Sequence, residues 1–202
     1  MIETADKKRE QIIEKALTRF AHFGINKTTM NEIAEDLSIS KPSLYYYFPD
    51  KISLAVAVAG KIFEEFFQRL DVIKENASTT RDALFALIEL RKEYLEKYYM
   101  LHLTESTSEF NINNEPFRNL MSESREKEKN SIQDVFTKDQ SLSKLPSEPI
   151  AELYLDSLMG LGMCLMAKQT KQLIPESKGL EEVISKQKAL TEIFLDGLSN
   201  RK

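Results

Sequence analysis

The chain has 202 residues, with 28 Lys+Arg against 32 Asp+Glu and a formal net charge of −4. That length holds one or two domains with a real core, and one cysteine, Cys164, excludes an intramolecular disulfide. His22 and His102 stand far apart, so neither a metal site nor a cofactor is expected.

The first residues, Met1 to Glu10, are charged and lack the apolar run of a signal peptide. The longest apolar stretch, Leu158 to Ala167, is too short to cross a bilayer. The expectation is a cytoplasmic protein with no membrane partner. Six Gly, six Pro and apolar spacings of three and four predict an all-α fold.

A first helix is expected over about Lys7 to Phe23, with Ile12, Ile13, Ala16, Leu17 and Phe20 inward and Gly24 as a left-handed C-cap. Thr29 and Glu32 have capping-box spacing for a second helix ending near Leu37. Ser40 caps a third (about Lys41 to Phe48), where Pro42 fits the first turn. Asp50 caps a fourth, to about Glu75. A fifth spans about Arg81 to Leu101, and polar residues 104–115 read as a loop. A charged helix follows to Phe136, then a linker from Ser141 to Pro149. Two last helices, about Ile150 to Lys171 and Lys178 to Asn200, flank a break at Pro175.

Residues 29–48 form two short helices about a tight turn, with Ile33, Ala34, Ile39 and Leu44 available to pack them together. That is a helix-turn-helix arrangement, whose second helix can enter a major groove. Thr29, Tyr46, Tyr47 and Lys51 are donors suited to phosphates, and Lys41, Ser43 and Tyr45 are placed to reach base edges. Short helix pairs also serve as ordinary core in proteins that never meet DNA, and a Tyr-Tyr-Tyr-Phe run also serves as core or interface. Residues 1–51 balance eight basic against eight acidic groups, so charge alone does not point to nucleic acid.

Residues 9–54 resemble the N-terminal domain of the TetR family of bacterial transcriptional regulators. The resemblance rests on Arg9, Ala16, Phe20, Gly24, Thr28-Thr29, Ile33-Ala34, Ser40, Leu44-Tyr45, Tyr47-Phe48, Lys51 and Leu54 in register. Ser38 and Pro42 depart from it, each standing where glycine is frequent. Ser38 takes strain if the turn needs a positive φ. The resemblance implies base-edge roles for Asn31, Lys41, Pro42, Ser43 and Tyr45, and phosphate roles for Thr29, Tyr46, Tyr47 and Lys51. It also implies a helix-turn-helix DNA-binding domain over 1–51 and a helical regulatory and dimerisation domain over 52–202.

Beyond residue 60 the resemblance fades, and the family pattern supplies only expectations. An inducer pocket is expected among Phe85, Arg91, Tyr94, Tyr98, His102, Phe117, Met121, Met159 and Met163, although stripes of this kind also form ordinary core. Arg91 and His102 are placed to meet a ligand, to pair with glutamates or to sit at the surface, as isolated charges mostly do. A homodimer interface is expected at Leu158, Gly162, Leu165, Leu190, Phe194 and Leu198 on the last two helices. Intramolecular core is the alternative reading of both stripes.

No nucleophile-base spacing, glycine-rich phosphate loop or HExxH argues for catalysis. Cys164 lies in an apolar stretch that would keep it inert. Glu123, Glu126 and Glu128 alternate with Arg125, Lys127 and Lys129 and read as a solvated face. The expectation is a regulator rather than an enzyme: a homodimeric repressor of double-stranded DNA, with a small-molecule effector not identifiable from sequence. A DNA-binding module without an inducer, or an all-α enzyme that has kept the N-terminal fold, are the alternatives.

Overall fold

The computed structural model describes residues 2–98, 115–142, 146–168 and 177–200. These form eight helices and no strand: α1 (Ile2–Phe23), α2 (Met30–Asp36), α3 (Lys41–Tyr47), α4 (Lys51–Asn76), α5 (Thr80–Lys97), α6 (Glu115–Lys138), α7 (Ser147–Lys168) and α8 (Ser177–Ser199). The fold is all-α, an N-terminal helix-turn-helix followed by a larger helical part. The chain divides into one unit of Met1–Glu65 with Leu95–Ser122, and a second of Phe66–Tyr94 with Glu123–Lys202.

Local chemistry sets the helix ends in the first unit. Gly24 closes α1 at φ 80°, donating to the Phe20 carbonyl at 2.9 Å, while the buried Thr28 hydroxyl donates to the Gly24 carbonyl. Thr29 and Glu32 form the capping box of α2. That helix ends in a Schellman motif: the Ser38 N–H donates to Glu35 and the Ile39 N–H to Ala34, both at 3.0 Å. The motif requires a left-handed residue, and Ser38 supplies it at φ 51°. Ser40 accepts from the Ser43 N–H to start α3, with Pro42 in the first turn. Asp50 Oδ1 accepts from the Ser53 N–H at 2.6 Å to start α4.

Between these ends, one core joins the first four helices. Ile12, Ile13, Ala16 and Phe20 of α1 meet Met30, Ile33 and Ala34 of α2, Leu44 of α3, Phe48, and Leu54, Ala55 and Val58 of α4. Lys61 bridges Glu10 and Glu14 across the α4–α1 seam. At the end of α5, Tyr98 is buried and its hydroxyl donates to Glu65 at 3.4 Å.

The second unit buries Leu84, Leu87 and Ile88 of α5, Ile132 and Phe136 of α6, Tyr154, Leu155 and Leu158 of α7, and Val183, Ile184 and Leu195 of α8. Phe136, Tyr154 and Phe194 cluster with ring centroids 5.2–6.3 Å apart. The buried polar groups on α7 and α8 are paired. Tyr154 and Thr191 share a 2.7 Å hydrogen bond, Thr191 donates to the Gln187 carbonyl, and Gln187 donates to the Leu158 carbonyl. Burial pushes the Tyr154 phenol up to about 12, against the Thr191 hydrogen bond and the charge of Arg91, and with that of Glu128.

Three sequence expectations need correction. The linker expected through Pro149 ends earlier, because Ser147–Pro149 form the first turn of α7, where proline's missing N–H has no intrahelical partner. Cys164, expected to be kept inert by an apolar stretch, is exposed, because α7 turns its Met163–Cys164 edge outward. Glu128 does not lie on a solvated face: with Ser124 and Ser131 it forms the inward face of α6. The expected loop over residues 104–114 and the break at Pro175 lie outside the described residues.

The two left-handed positions should respond oppositely to substitution. A side chain costs about 1–2 kcal/mol in this conformation, so Gly24→Ala is expected to destabilise by that amount. Ser38→Gly removes the same penalty, offset in part by the freer unfolded chain, and should stabilise by up to about 1 kcal/mol. Urea unfolding of the two variants checks the signs.

Candidate nucleic-acid interface

Rotation of α3 about its axis decides what it presents. Leu44 and Phe48 stand four residues apart and point into the core, and Tyr47 packs partly against it. The opposite face is left outward, with Lys41 and Pro42 exposed, Tyr45 39% and Tyr46 82% exposed, and Ser43 half-buried. A tyrosine as bare as Tyr46 contributes little to folding and offers its hydroxyl and ring to a partner. The Lys41 ammonium lies 5.8 Å from the Tyr45 ring centroid, and the Tyr46 and Tyr47 rings meet edge-to-face at 5.2 Å. Asn31 is exposed on α2, and Lys51 is half-buried at the start of α4.

Thr29 is more constrained than its place at a helix start suggests. Its hydroxyl donates to Glu32 Oε2 at 2.8 Å and accepts from the Glu32 N–H, while its own N–H donates to the same carboxylate at 2.8 Å. A phosphate contact through this hydroxyl requires Glu32 to give way.

The local charge differs from the formal neutrality of residues 1–51. Arg19 of α1 donates from Nε and Nη2 to both oxygens of Asp36, at 2.7 and 2.9 Å, and lies 3.3 Å from Glu32. Lys15 joins Asp36 at 3.7 Å. Two acidic groups of the helix-turn-helix are thereby matched by cations behind it, on α1. Arg9, exposed, lies 5.0 Å from the Phe48 ring centroid and adds a cation beside the end of α3. Sequence reading missed it as a site residue because only the fold brings α1's first turns to Phe48.

The residues expected to line a pocket are divided between the units. Phe85, Arg91, Tyr94, Met159 and Met163 lie in the second, while Tyr98, Phe117 and Met121 lie in the first. Tyr94 and Tyr98 are buried, Phe85, Phe117 and Met159 half-buried, and Met121 and Met163 exposed. Arg91 pairs with Glu128, its Nε 3.4 Å from Oε1. His102 lies outside the described residues. Of the residues expected at a dimer interface, Leu158 and Leu198 are buried in their own protomer, and Gly162, Leu190 and Phe194 are half-buried. The side chain of Leu165 is outside the described set. Among the described residues of these helices, Leu153 (59%), Met163 (71%) and Ile193 (70%) are bare.

Residues 12–58 match the family model described as bacterial regulatory proteins, tetR family. The N-terminal part of the chain is thereby similar to that family. It is 38% identical over 76 residues to an uncharacterized HTH-type transcriptional regulator, YuxN, of Bacillus subtilis, over 38% of this chain and 26% of that one. To the biofilm operon icaADBC negative transcriptional regulator IcaR of Staphylococcus aureus it is 28% identical over 110 residues, 52% of this chain and 59% of that one. The chain thus spans between a quarter and three-fifths of these relatives. A crystal structure of a transcriptional regulator from Cytophaga hutchinsonii matches over 94% of this chain and 97% of that one, with 27% identity and a TM-score of 0.82.

Acid should loosen the reading domain. Hydrogen bonds from Arg19 hold the Asp36 carboxyl below the usual carboxylate range, and the N–H and hydroxyl of Thr29 do the same for Glu32. Depressed carboxyls stabilise the fold above their unfolded values near pH 4, and this contribution disappears as pH falls through the lower folded values. In urea unfolding between about pH 5 and pH 2, Asp36→Asn should start less stable and lose less stability with acid than the wild type.

Proposed function

We propose that this chain is a ligand-responsive transcriptional repressor that binds a palindromic operator as a homodimer. The observation that carries the reading is the outward face of α3, which leaves Lys41, Pro42, Tyr45 and Tyr46 clear of the core that fixes Leu44 and Phe48. The family of the N-terminal domain supports DNA as the partner, and the naming of IcaR as a negative regulator supports repression. Residues 1–51 act as the DNA-binding domain and 52–202 as the regulatory and dimerising part.

In this reading Asn31, Lys41, Ser43 and Tyr45 meet base edges, and Pro42 offers an apolar edge to a thymine methyl. Tyr46, Tyr47 and Lys51 hold phosphates, joined by Thr29 once Glu32 yields. Dimerisation uses the exposed apolar residues of α7 and α8, Leu153, Met163 and Ile193, flanked by half-buried Gly162, Leu190 and Phe194. Large apolar side chains left bare on neighbouring helices mark an association surface. A two-fold pair places two copies of α3 in successive major grooves, one or two helical turns apart, and that spacing demands a palindrome. An effector bound by the regulatory part releases DNA only as far as it binds the released state more tightly than the bound one.

Enrichment from fragmented genomic DNA at two salt concentrations tests the reading. A palindrome should be recovered, with recovery falling as salt rises. Failure to recover any site, persisting after unfolding and refolding to strip bound ligand, overturns the proposal. Tyr45→Ala should cost about 1–3 kcal/mol at the cognate site and relax sequence preference. Lys51→Ala should weaken binding to all sequences alike and reduce the salt slope by about one. Replacing Leu153 and Ile193 together by Glu should yield monomers in sedimentation and abolish operator binding.

A further inference from the structure

The interior of the second unit holds two kinds of polar group. On α7 and α8, Tyr154, Thr191 and Gln187 form a chain in which each is hydrogen-bonded. Across from it, α5 and α6 contribute Arg91 and Glu128, and these are not complete. Arg91 Nε is 3.4 Å from Glu128 Oε1, near enough for charge pairing, yet both Arg91 Nη1 and Glu128 Oε1 are buried without a hydrogen-bond partner. Glu128 is only 9% exposed. A buried ion pair is commonly no better for stability than apolar residues of the same volume, and an incomplete one is worse. The flanking positions show that apolar packing is available here, since Leu87, Ile88 and Leu90 of α5 and Ile132 of α6 are buried in ordinary fashion. Arg91 Nη1 and Glu128 Oε1 therefore keep a donor and an acceptor close together, with hydrogen-bonding capacity left over beyond their own ion pair.

The geometry points to Arg91 and Glu128 as the recognition edge of the effector site, selecting a neutral ligand that carries a carbonyl and an N–H on one side, as in an amide or lactam. This rests on the reading of the second unit as the effector-binding part. The pair sums to zero charge, so a carboxylate ligand would gain Arg91 and be repelled by Glu128, and a cation would meet the reverse. A carbonyl oxygen can accept from Arg91 Nη1 while the neighbouring N–H donates to Glu128 Oε1, completing both groups at once. Tyr94, buried one turn along α5 from Arg91, and Tyr154 supply aromatic surface beside that edge.

Three probes that share a ring and differ in head group separate the possibilities: benzamide, benzoate and benzamidine, titrated into the full-length chain by calorimetry with thermal shift in parallel. Benzamide is expected to bind more tightly than the other two by roughly 10- to 100-fold, the worth of a hydrogen bond to a charged group. In Glu128→Gln the remaining Arg91 charge should turn the preference to benzoate, and in Arg91→Gln the preference should turn to benzamidine. A pair that serves only packing would lower stability in both variants without reordering the probes. Equal binding of all three to the wild type, tighter binding of either charged probe, or no binding of any at millimolar concentration overturns the assignment, and these outcomes need no variant to fold. Palindrome binding on the same samples separates the two failures. DNA binding without amide preference removes the ligand class alone, whereas amide preference without DNA binding removes the repressor reading and leaves the site.

Discussion

What α3 can present depends on the burial of Leu44 and Phe48. A seven-residue helix is too short to be stable by its own propensity, so its rotation is set by the side chains it sinks into the core. Emptying a fully buried leucine position costs about 2–5 kcal/mol, against about 1 kcal/mol for a cap such as Ser40 and less than that for an exposed ion pair. The ranking assigns the roles. Packing against α1, α2 and α4 points Tyr45 and Tyr46 outward, capping fixes where the helix begins, and ion pairs trim the surroundings. The strain at Ser38 belongs to the same economy, because a left-handed residue is what turns the chain sharply enough for α3 to reach that core.

The balanced charge of the first 51 residues conceals an uneven arrangement. Asp36 and Glu32 sit on the reading motif by sequence, yet their carboxylates are matched by Arg19 and Lys15 on the helix behind it. Lys41, at the start of α3, and Arg9, beside its end, instead stand over the Tyr45 and Phe48 rings. A surface with this disposition depends on a few positioned cations rather than on a broad basic field, so salt acts on it through a small number of released counterions.

How much of this was legible in the sequence follows from the range of the interactions involved. Gly24, the Thr29–Glu32 box, Ser40 and Asp50 are decided within a few residues, and each reads directly from local chemistry, whereas Ser38 stands out only as a departure from the family resemblance. The inward sets of α1 and α2, and Leu44 of α3, follow from helical spacing for the same reason. The ion pairs of Arg19, the position of Arg9 over Phe48 and the inward turn of Glu128 join different helices, and spacing within one helix says nothing about them. α7 shows the limit most clearly. It is apolar nearly all round, so periodicity cannot say that Leu158 is enclosed by its own chain while Leu153 is bare. The glutamate-rich stretch of α6 misled in the opposite direction, since alternating charge looks solvated until the fold turns one member toward Arg91.

The interior of the second unit departs from what stability alone favours. Tyr154, Thr191 and Gln187 show that this core can satisfy buried polar groups when they serve the fold, because every one of them is bonded to its neighbour. Arg91 and Glu128 pair their charges but leave hydrogen-bonding capacity unused, where leucine would pack without penalty. A protein that must choose between two states gains from such incompleteness. A core already at its optimum offers a ligand nothing to improve, whereas groups held short of their full bonding let a ligand stabilise one arrangement selectively. Binding energy becomes regulation only through that difference between states. Under the proposed effector site, the residues least favourable for folding in this core are the ones that give a ligand the greatest purchase on it.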